Sequence, residues 1–562
     1  MTTPDPKPSR LDAIRNRINA ILAIPMLEVV IQWIKPNITY FQTTRQPTLW
    51  LFGLIAGTCV GAAAIGFREL LGLFQLIWLQ DMSEFVATAA RKQPWWVILL
   101  TPACGGLIVG IMLEKLLAGK RAFGVADVIA ARAQTTQRMS FKQGIYSSLV
   151  AAVSLGFGAS AGREGPVVHL GATISSFFSQ KLGLSGRSTR ILLACGVASA
   201  VSASFNAPIA GVLFAHEVIL GHYAASAFVP IAISSVAGTV LSRLYFGETA
   251  AFIIPNYQIT SYWEFPAFAL LGVVCAIVAI GFQATLVGAD WASRHVNMRL
   301  WMRPVLGGLI IGGIAILYPE ILGVGYEATN QALNGELPII MLLTLLVVKT
   351  LATAITLASR FGGGVFSPAL YLGAMTGGAF GLIAANVSPD LASSGGVYAI
   401  IGMGAVAASV IGAPISTVLI VFELTGGYTL TIALLVTIGI SYGLTQALHG
   451  RSFFHWQLEM RGLFVQDGPH KYIGKNTHVR EIMRPLSKDE KTDPFDPGSG
   501  KIYLRPGDTL ETALRSFDTK DNHRIPVVDP DDATKIIAYV VHVDVLNQFN
   551  SALIKASEEE HR

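Results

Sequence analysis

The chain has 562 residues, of which 52% are hydrophobic and only 14% are charged, with a formal net charge of +5 and a mean hydropathy of +0.53. Soluble domains average about 25% charged residues, so this composition excludes a wholly water-soluble enzyme. The charges concentrate at one end, because residues 465–562 hold 14 Lys or Arg and 17 Asp or Glu. The sequence therefore predicts an apolar body within a membrane, followed by a soluble C-terminal tail.

The segment 1–47 precedes the apolar body and carries a short amphipathic pattern. Apolar residues recur there at helical spacing beside three arginines, namely Leu11, Ile14, Ile18, Ile21 and Leu22 with Arg10, Arg15 and Arg17. This pattern predicts a helix on the cytoplasmic surface of the membrane, as the positive-inside rule favours; the alternative is an irregular tail. Pro25 and Glu28 interrupt the apolar stretch 20–34, which has no clear cleavage site, so we expect no signal peptide.

Several runs in the body are long enough to cross a bilayer, which takes about 20 apolar residues in a helix. Runs without a single Asp, Glu, Lys or Arg cover 191–215, 265–289, 361–389, 391–422 and 428–450. The run 391–422 is too long for one straight span, and glycines and a proline interrupt it. This pattern predicts broken or re-entrant helices rather than a plain helical bundle.

An internal repeat divides the body into two halves. Residues 206–217 (NAPIAGVLFAHE) match residues 412–423 (GAPISTVLIVFE) at a constant offset. Other glycine- and proline-bearing segments precede each copy, and paired interrupted segments of this kind point to a transporter binding site near the midplane. We therefore predict two repeats related by inversion, at 48–250 and 251–460.

The first glycine-rich segment, 158–166 (GASAGREGP), places Arg163 and Glu164 among small residues between apolar runs. A charged residue inside a membrane segment is costly and usually functional. Pro166 suits the first turn of a helix, and a helix that starts at Pro166 would direct its free N–H groups and positive dipole end at Arg163–Gly165, which would create an anion site. Glu164 would then be an anion tethered beside that site.

The second glycine-rich segment, 362–368 (GGGVFSP), repeats this arrangement in the other half. Pro368 would begin a second helix, with the amides of Val365 and Phe366 free to bind. Two helix N-termini that meet from opposite halves would coordinate a bare anion. For either segment alone, the alternative is a glycine-rich packing turn.

Together these residues resemble the CLC family of chloride channels and proton-coupled chloride antiporters. Residues 162–166 match the family's GREGP motif and 364–368 match its GxFxP motif, while 206–211 and 421–425 are similar to further family segments. The resemblance covers about 50–460. It implies an all-α polytopic protein of two inverted repeats with broken or re-entrant helices, which forms a homodimer in the lipid bilayer with one anion pathway in each subunit. We expect a bacterial inner membrane location.

The resemblance also implies roles for individual residues. Glu164 would be the gating glutamate, whose carboxylate occupies an anion site when charged and leaves it when protonated, so that chloride permeation depends on protons and voltage. Residues around this carboxylate are implied to bind the anion, namely Arg163, Gly165, Val365, Phe366, Phe123 and Phe454. Because both signature motifs are intact, the fluoride-specialised relatives are disfavoured.

Two of these positions depart from the family's pattern of hydroxyl ligands. The family's GSGIP motif corresponds to 122–126, so Phe123 stands where a chloride-coordinating serine is expected. The family's pore tyrosine aligns with Phe454. Backbone amides would then be the main ligands, and the affinity and selectivity for chloride are open; an alignment slip near Phe123 is the alternative.

A third departure concerns proton coupling. The internal proton-accepting glutamate of the family's antiporters aligns with Val218, and valine cannot relay a proton. The family's channels also carry valine there, so the sequence favours passive, channel-like conduction or weakened coupling. One alternative is an antiporter in which His216 or Glu217 replaces the relay, and a second is a regulatory membrane sensor that acts through the tail.

Other polar residues favour simpler interpretations. Glu217 and Glu423 occupy matching positions of the repeat, so we expect them to cap or bond backbone rather than to transport protons. His169 is expected to be a hydrogen-bonded packing residue. Lys349 and Arg360 would either draw anions towards a vestibule or extend to the membrane surface.

The sequence shows no pattern of an enzyme or of a cofactor site. It has no Walker loop, no metal-ligand spacing and no suggestive nucleophile–base arrangement. Its cysteines all lie in apolar stretches without CxxC spacing and are expected to be core residues, namely Cys59, Cys104, Cys195 and Cys275. We therefore expect no enzymatic activity, no metal, no cofactor and no nucleic-acid partner, with chloride as the substrate.

The tail at 465–562 resembles a single CBS domain. Residues 478–483 are similar to its opening strand and helix, while 504–517, 525–529 and 536–546 are similar to the helix, strand and strand that follow. The resemblance implies pairing across a dimer or a degenerate module. Asp544 keeps the aspartate of the ribose-binding pattern, but Val541 replaces its Ser or Thr, so we expect a packing lid rather than a nucleotide site.

Overall fold

The computed structural model describes residues 32–36, 46–82, 84–133, 139–247, 252, 259–389, 392–464, 473–475, 477–486, 495–496, 502–518 and 523–561. The amphipathic helix predicted between Arg10 and Leu22 lies outside these residues. Within them, eight helices are long and apolar enough to cross a membrane, and four shorter helices are also apolar. The prediction of a polytopic, mostly helical protein is confirmed.

The first half of the body consists mainly of helices joined by short loops. Its helices are α1 (Gln46–Leu79), α2 (Val86–Arg91), α3 (Trp95–Lys115), α4 (Val125–Ala133), α5 (Phe141–Gly156), α6 (Glu164–Lys181), α7 (Gly186–Phe205), α8 (Pro208–Phe214, continued by a π-helical turn Ala215–Leu220) and α9 (Ala225–Phe246). Helix α1 has 34 residues, about 51 Å at 1.5 Å per residue, and therefore exceeds the thickness of the hydrocarbon. A helix of that length crosses a bilayer at a tilt.

The second half also consists mainly of helices. They are α10 (Phe265–His295), α11 (Met302–Leu317), α12 (Tyr326–Leu333), α13 (Ile339–Ala358), α14 (Phe366–Val387), α15 (Gly395–Ile411), α16 (Pro414–Thr425), α17 (Tyr428–Leu448) and α18 (Phe453–Glu459), with short 3-10 turns at Tyr262–Glu264 and Pro319–Ile321. The long run 391–422 is divided between α15 and α16, which confirms the predicted break.

Each half contains a helix that is broken in the same way. Helix α7 ends at Asn206, whose φ of 59° is left-handed, and α8 begins two residues later at Pro208. Helix α15 ends at Gly412, with a φ of 80°, and α16 begins at Pro414. Glycine and asparagine are the residues that adopt this conformation at least cost, and proline suits the first turn of the next helix.

Two glutamates link the broken helices of the two halves. Glu217, after α8, accepts hydrogen bonds from the amides of Ile415 (3.0 Å) and Ser416 (2.8 Å) at the start of α16. Glu423, near the end of α16, accepts from the amides of Ile209 (2.9 Å) and Ala210 (2.8 Å) at the start of α8. Each carboxylate therefore caps the N-terminus of the matching helix in the other half, as their repeated positions predicted.

Small residues let the helices of the core approach closely. A Cβ atom at Gly402 of α15 would lie 2.5 Å from the carbonyl oxygen of Gly373 in α14, so neither helix could carry a larger residue at this contact. The cysteines were expected in the core, and Cys195 and Cys275 are buried there. For Cys59 and Cys104 the prediction is wrong, because both are exposed on outer helix faces beside other exposed apolar residues.

The tail forms a small α/β unit. Strands β1 (Arg484–Pro485), β2 (Arg524–Val528) and β3 (Ile536–Val541) form an antiparallel sheet in the order β1-β3-β2, with helices α19 (Leu510–Asp518) and α20 (His542–His561). Apolar residues from these elements form a separate buried cluster that includes Val479, Leu510, Phe517, Ile525 and Val540.

Three predicted elements of the tail have different bounds. Residues 478–483 contain a 3-10 turn at Val479–Glu481 in place of a strand and helix. The helix predicted over 504–517 begins only at Leu510, because Pro506 and Gly507 interrupt the chain. The strand predicted over 536–546 ends at Val541, where α20 begins.

Candidate anion pathway

The two glycine-rich loops meet through their backbones. The amide of Gly162 donates to the carbonyl of Gly364 (2.7 Å), and the amide of Gly364 donates to the carbonyl of Gly162 (2.8 Å). A Cβ atom at Gly162 would lie 3.0 Å from the amide nitrogen of Ser367, and one at Gly364 would lie 3.2 Å from that of Gly165. The glycines therefore permit an approach that side chains would prevent.

A helix begins directly after each loop. Helix α6 begins at Glu164 and α14 begins at Phe366, so both start two residues before the prolines where the sequence analysis placed them. Pro166 and Pro368 are instead the third residues of their helices, where the missing proline N–H is still not needed for an intrahelical bond. Because the loops are joined, the free N–H groups of both helices lie close to one another.

The Glu164 carboxylate lies at this junction and is almost fully buried, with 1% of the residue exposed. Its Oε1 accepts a hydrogen bond from the Tyr326 hydroxyl (2.7 Å), and its Oε2 accepts one from the Ser367 hydroxyl. The Arg163 Nε is 3.9 Å from Oε1. We call this arrangement, with both hydroxyl donors engaged, the closed position of Glu164.

Arg163 directs its strongest contact away from the loops. Its Nη1 pairs with Glu84 Oε1 at 2.6 Å, and Glu84 also pairs with Arg68 at 3.2 Å. The guanidinium lies over the Tyr326 ring, 4.7 Å from the ring centroid. Arg163 therefore adds positive charge behind Glu164 while it is held by a carboxylate from the segment before α2.

A cavity of about 150 Å³ reaches Glu164 from the side of the molecule where the tail leaves the body, and we call it the tail-side cavity. Its wall contains five of the six residues that the resemblance implied as anion-binding, namely Gly165, Val365, Phe366, Phe123 and Phe454. At the other end of the cavity lie Arg121, Arg360 and Arg461 beside Asp127 and Asp290. Asp127 pairs with Arg121 (2.5 Å) and with Arg461 (2.8 Å), so these three arginines exceed the two aspartates by one positive charge.

Two aromatic residues for which the resemblance implied lost hydroxyl ligands, Phe123 and Phe454, both line the tail-side cavity. The Phe123 ring stacks on the His169 ring at 5.2 Å, and the Arg121 guanidinium lies 5.1 Å from its centroid. The Phe123 amide is engaged as well, because it donates to the Ser147 hydroxyl (2.7 Å). Phe454 is buried at the start of α18. This part of the cavity is therefore apolar.

A second cavity, of about 180 Å³, shares no lining residue with the first, and we call it the far-side cavity. Arg68, Glu84, Arg163 and Tyr326 contribute to its wall. Since Tyr326 is bonded to Glu164, which lines the tail-side cavity, this one hydrogen-bonded pair lies between the two cavities.

The three candidates for a proton pathway near α8 lie apart from this pair. None of His216, Glu217 and Val218 lines either cavity among the residues that the structure describes. The His216 Nδ1 contacts the carbonyl of His222 (3.0 Å), and its buried Nε2 has no hydrogen-bond partner within the described ranges. Glu217 caps α16, and Val218 is a half-buried apolar residue packed against the core.

The structure also shows where three further polar residues from the sequence analysis lie. Arg360 lines the tail-side cavity, as one of its two predictions required. Both predictions for Lys349 are wrong, because it is fully buried and its Nζ donates to the carbonyls of Ile321 (2.9 Å) and Gly323 (3.0 Å). His169 packs as predicted, but its Nδ1 has no hydrogen-bond partner among the described residues.

Sequence analysis missed two residues of the closed position. Ser367 lies inside the segment 362–368 but was not singled out, although a hydroxyl beside a helix N-terminus is a natural donor to an anion. Tyr326 follows the glycines of Gly323-Val-Gly325, which signal a turn and give no indication of what the next side chain contacts.

Comparisons with known proteins find similar chains of known description. The family profile described as voltage gated chloride channel matches residues 105–446. The chain is 33% identical over 411 residues to a putative chloride channel protein ClcB-like from Ralstonia nicotianae, which covers 72% of this chain and 95% of that protein. It is 34% identical over 329 residues to the H(+)/Cl(-) exchange transporter ClcA of Vibrio cholerae, which covers 56% of this chain and 70% of that protein.

Solved structures show the same fold. The structure of a slow cyanobacterial Cl-/H+ antiporter superimposes with a TM-score of 0.65 at 23% identity, over 74% of this chain and 97% of that chain. A eukaryotic CLC transporter superimposes with a TM-score of 0.64 at 17% identity, over 88% of this chain and 97% of that chain.

Proposed function

Because the chain belongs to the CLC family of voltage gated chloride channels, we propose that it moves chloride across a membrane through a pathway gated by Glu164. One observation carries the proposal. The Glu164 carboxylate, itself an anion, is buried at two facing helix N-termini between a cavity on either side.

The mechanism follows from competition for one site. Free backbone N–H groups and the positive ends of α6 and α14 attract an anion, and either chloride or the Glu164 carboxylate satisfies them. When charged, the carboxylate occupies the site and blocks passage. Protonation removes its charge and weakens its hydrogen bonds to Ser367 and Tyr326, so the side chain leaves and chloride enters.

For the mode of transport we propose passive conduction, or proton coupling that is weak. Val218 has no group that can carry a proton. Glu217, beside it, is engaged by the amides of Ile415 and Ser416 and by the Ser416 hydroxyl. Both oxygens of Glu217 are therefore already occupied as acceptors, and the cap that it forms would have to break before it could carry a proton.

A second candidate function is proton-coupled exchange, and His216 is the residue that favours it. Its Nε2 is buried without a partner among the described residues, which leaves an imidazole nitrogen able to accept a proton. The Vibrio cholerae relative is named an exchange transporter. In that case His216 would substitute for the missing glutamate.

Purified protein in liposomes distinguishes these functions. The liposomes carry a chloride gradient, valinomycin clamps the voltage, and an electrode records the external pH. Passive conduction predicts chloride efflux without proton movement. Uphill proton movement that Glu164→Ala abolishes would contradict it and establish exchange, and His216→Phe would then be the next variant. The absence of any chloride flux would contradict both.

We further propose a homodimer in the bacterial inner membrane, a pathway sensitive to voltage, and a tail that is a CBS-like lid without nucleotide or another cofactor. The tail proposal is supported by Asp544, whose two oxygens accept from Arg484 Nε (2.6 Å) and Nη2 (2.7 Å). This hydrogen bonding lowers the pKa of Asp544 and occupies the carboxylate that a ribose would need. Nucleotide binding to the isolated protein, measured by calorimetry, would contradict it.

A further inference from the structure

The closed position of Glu164 depends on a hydroxyl that lies outside the signature motifs. We propose that Tyr326 is a positioning residue for the gate, which holds the Glu164 carboxylate in the closed position and seals it from the far-side cavity. This inference rests on the proposed function of Glu164 as the gate. It adds a residue that determines how readily the gate opens.

The contacts of Tyr326 fit a fixed donor. Its hydroxyl is 2.7 Å from Glu164 Oε1, and only 4% of the residue is exposed. The ring is held from two sides, because the Phe252 ring meets it edge-on at 4.8 Å and the Arg163 guanidinium lies 4.7 Å from its centroid. A ring packed in this way cannot follow the carboxylate when it leaves, so opening breaks the hydrogen bond.

The loop before Tyr326 fixes its direction. Gly323 and Gly325 both have left-handed φ values, of 59° and 90°. A Cβ atom at Gly325 would lie 2.8 Å from the Tyr371 ring and 3.2 Å from Lys349 Nζ, so the turn fits tightly against both. Lys349 donates to two carbonyls of this loop, at Ile321 and Gly323. The buried lysine therefore anchors the turn from which α12 begins at Tyr326.

The two oxygens of Glu164 are held by different elements. Ser367 on α14 holds Oε2, and Tyr326 on α12 holds Oε1. When the Glu164 side chain moves towards the far-side cavity, its hydrogen bond to Ser367 breaks first. The hydrogen bond to Tyr326 then remains to be broken. The Tyr326 bond therefore controls the last step between the closed carboxylate and that cavity.

Charged side chains lie beside Glu164 and surround its carboxyl group once the hydrogen bond to Tyr326 has broken. Arg163 on α6 is 3.9 Å from Oε1 and pairs with Glu84, which precedes α2 and also pairs with Arg68 of α1. Ser367, which faces it from α14, is neutral. A Glu164 side chain released from Tyr326 therefore has the Arg163 guanidinium beside it, and Arg163 and Glu84 both line the far-side cavity.

The test is a pair of tyrosine variants. Tyr326→Phe removes only the hydroxyl that binds Glu164. The matched control is Tyr398→Phe, which removes a buried hydroxyl that donates to Glu264 (3.0 Å), a carboxylate outside both cavities. Chloride efflux from liposomes is measured from pH 4 to pH 9 for each variant, alone and combined with Glu164→Ala.

We expect Tyr326→Phe to increase efflux at neutral pH by about tenfold, since a hydrogen bond to a charged group corresponds to roughly a tenfold to hundredfold change in an equilibrium. The charged, closed form loses a donor, so the pH of half-maximal efflux moves upwards by about one unit. Tyr398→Phe should behave as the wild type. In the Glu164→Ala background, Tyr326→Phe should have no further effect.

Each other outcome overturns a specific statement. If Glu164→Ala leaves the flux and its pH dependence unchanged, the proposed gate fails, and the Tyr326 proposal fails with it. If Glu164→Ala changes them but Tyr326→Phe does not, only the Tyr326 proposal is wrong. An equal effect of Tyr326→Phe with and without Glu164 would make Tyr326 a purely structural residue. If Tyr326→Phe does not give monodisperse protein, Tyr326→Met, which also lacks the hydroxyl, is measured against the same predictions.

Discussion

Two kinds of carboxylate lie at helix N-termini in this protein, a half-buried one and a fully buried one, and they differ in what holds them. Glu423 is bound by two backbone amides at the start of α8, and neither cavity reaches it within the described residues. Glu164 is bound by two side-chain hydroxyls and has a cavity on either side. A carboxylate bound by amides with no space to enter is a structural clamp. One bound by hydroxyls beside open space can leave.

A carboxylate at a helix N-terminus therefore has two different roles in this protein, as a structural clamp and as a gate. The positive end of a helix attracts an anion in every case. A carboxylate stays at a helix N-terminus when it has no space to move into and when no other anion can take its place there. At Glu164, in our proposal, a chloride ion can satisfy the same helix N-termini, whereas Glu217 and Glu423 line neither cavity within the described residues. The predictions below test this division, beginning with the largest expected effect.

Removal of the clamp should destabilise the protein more than removal of the gate. Glu423→Ala leaves the amides of Ile209 and Ala210 without their acceptor, and loss of an N-cap costs about 2 kcal/mol at the upper end. We expect the thermal midpoint in detergent to fall by several degrees. For Glu164→Ala we expect a smaller fall, because the removed group was itself a buried charge. Equal falls would contradict the division.

A hydroxyl restored to the pathway should strengthen chloride binding. Phe454→Tyr adds one donor to the tail-side cavity and leaves the ring in place. A neutral hydrogen bond contributes about 1 kcal/mol, so the chloride concentration for half-maximal flux should fall by about threefold to tenfold. The measurement is flux against chloride concentration. As a control, Phe177→Tyr alters a ring on the far part of α6 outside the cavity and should change nothing.

Substitution of the His216 imidazole should have little effect on chloride flux through a passive pathway. His216→Phe keeps the stacking on Tyr223 (5.7 Å) and Phe228 (6.3 Å) and removes the titratable ring. Passive conduction predicts an unchanged chloride flux across the pH range. A variant that retains chloride flux but loses proton movement present in the wild type would identify His216 as a relay.

Deletion of the tail should change conduction least. The tail has its own apolar cluster, and the residues that line both cavities lie before residue 465. We expect a chain that ends at residue 464 to retain chloride flux. A complete loss of flux from folded, monodisperse protein would instead favour the sensor that acts through its tail.

The parts of the site that depend on local chemistry were predictable from the sequence. The loops at 162–166 and 362–368 carry glycine and proline, whose backbone preferences fix turns and helix starts, and the repeat paired Glu217 with Glu423. Helices α6 and α14 begin two residues earlier than expected, because proline is tolerated anywhere in the first turn.

The parts that depend on packing between distant segments were not predictable. Tyr326 contacts Glu164 across 162 positions of the chain. Lys349 is buried because two carbonyls of a neighbouring turn satisfy it, and its sequence context of apolar residues gives no sign of them. Similarly, Cys59 and Cys104 lie in runs as apolar as those of the buried cysteines, because a face towards lipid and a face towards protein have the same composition.

The central claim is that Glu164 is a removable anion at the site where chloride binds. The most direct measurement is chloride efflux from liposomes between pH 4 and pH 9 for the wild type and Glu164→Ala, at a clamped voltage. The account predicts that wild-type efflux rises as the pH falls, because protonation releases the carboxylate. Glu164→Ala should give a high efflux that is independent of pH. An unchanged pH dependence in Glu164→Ala would contradict the account.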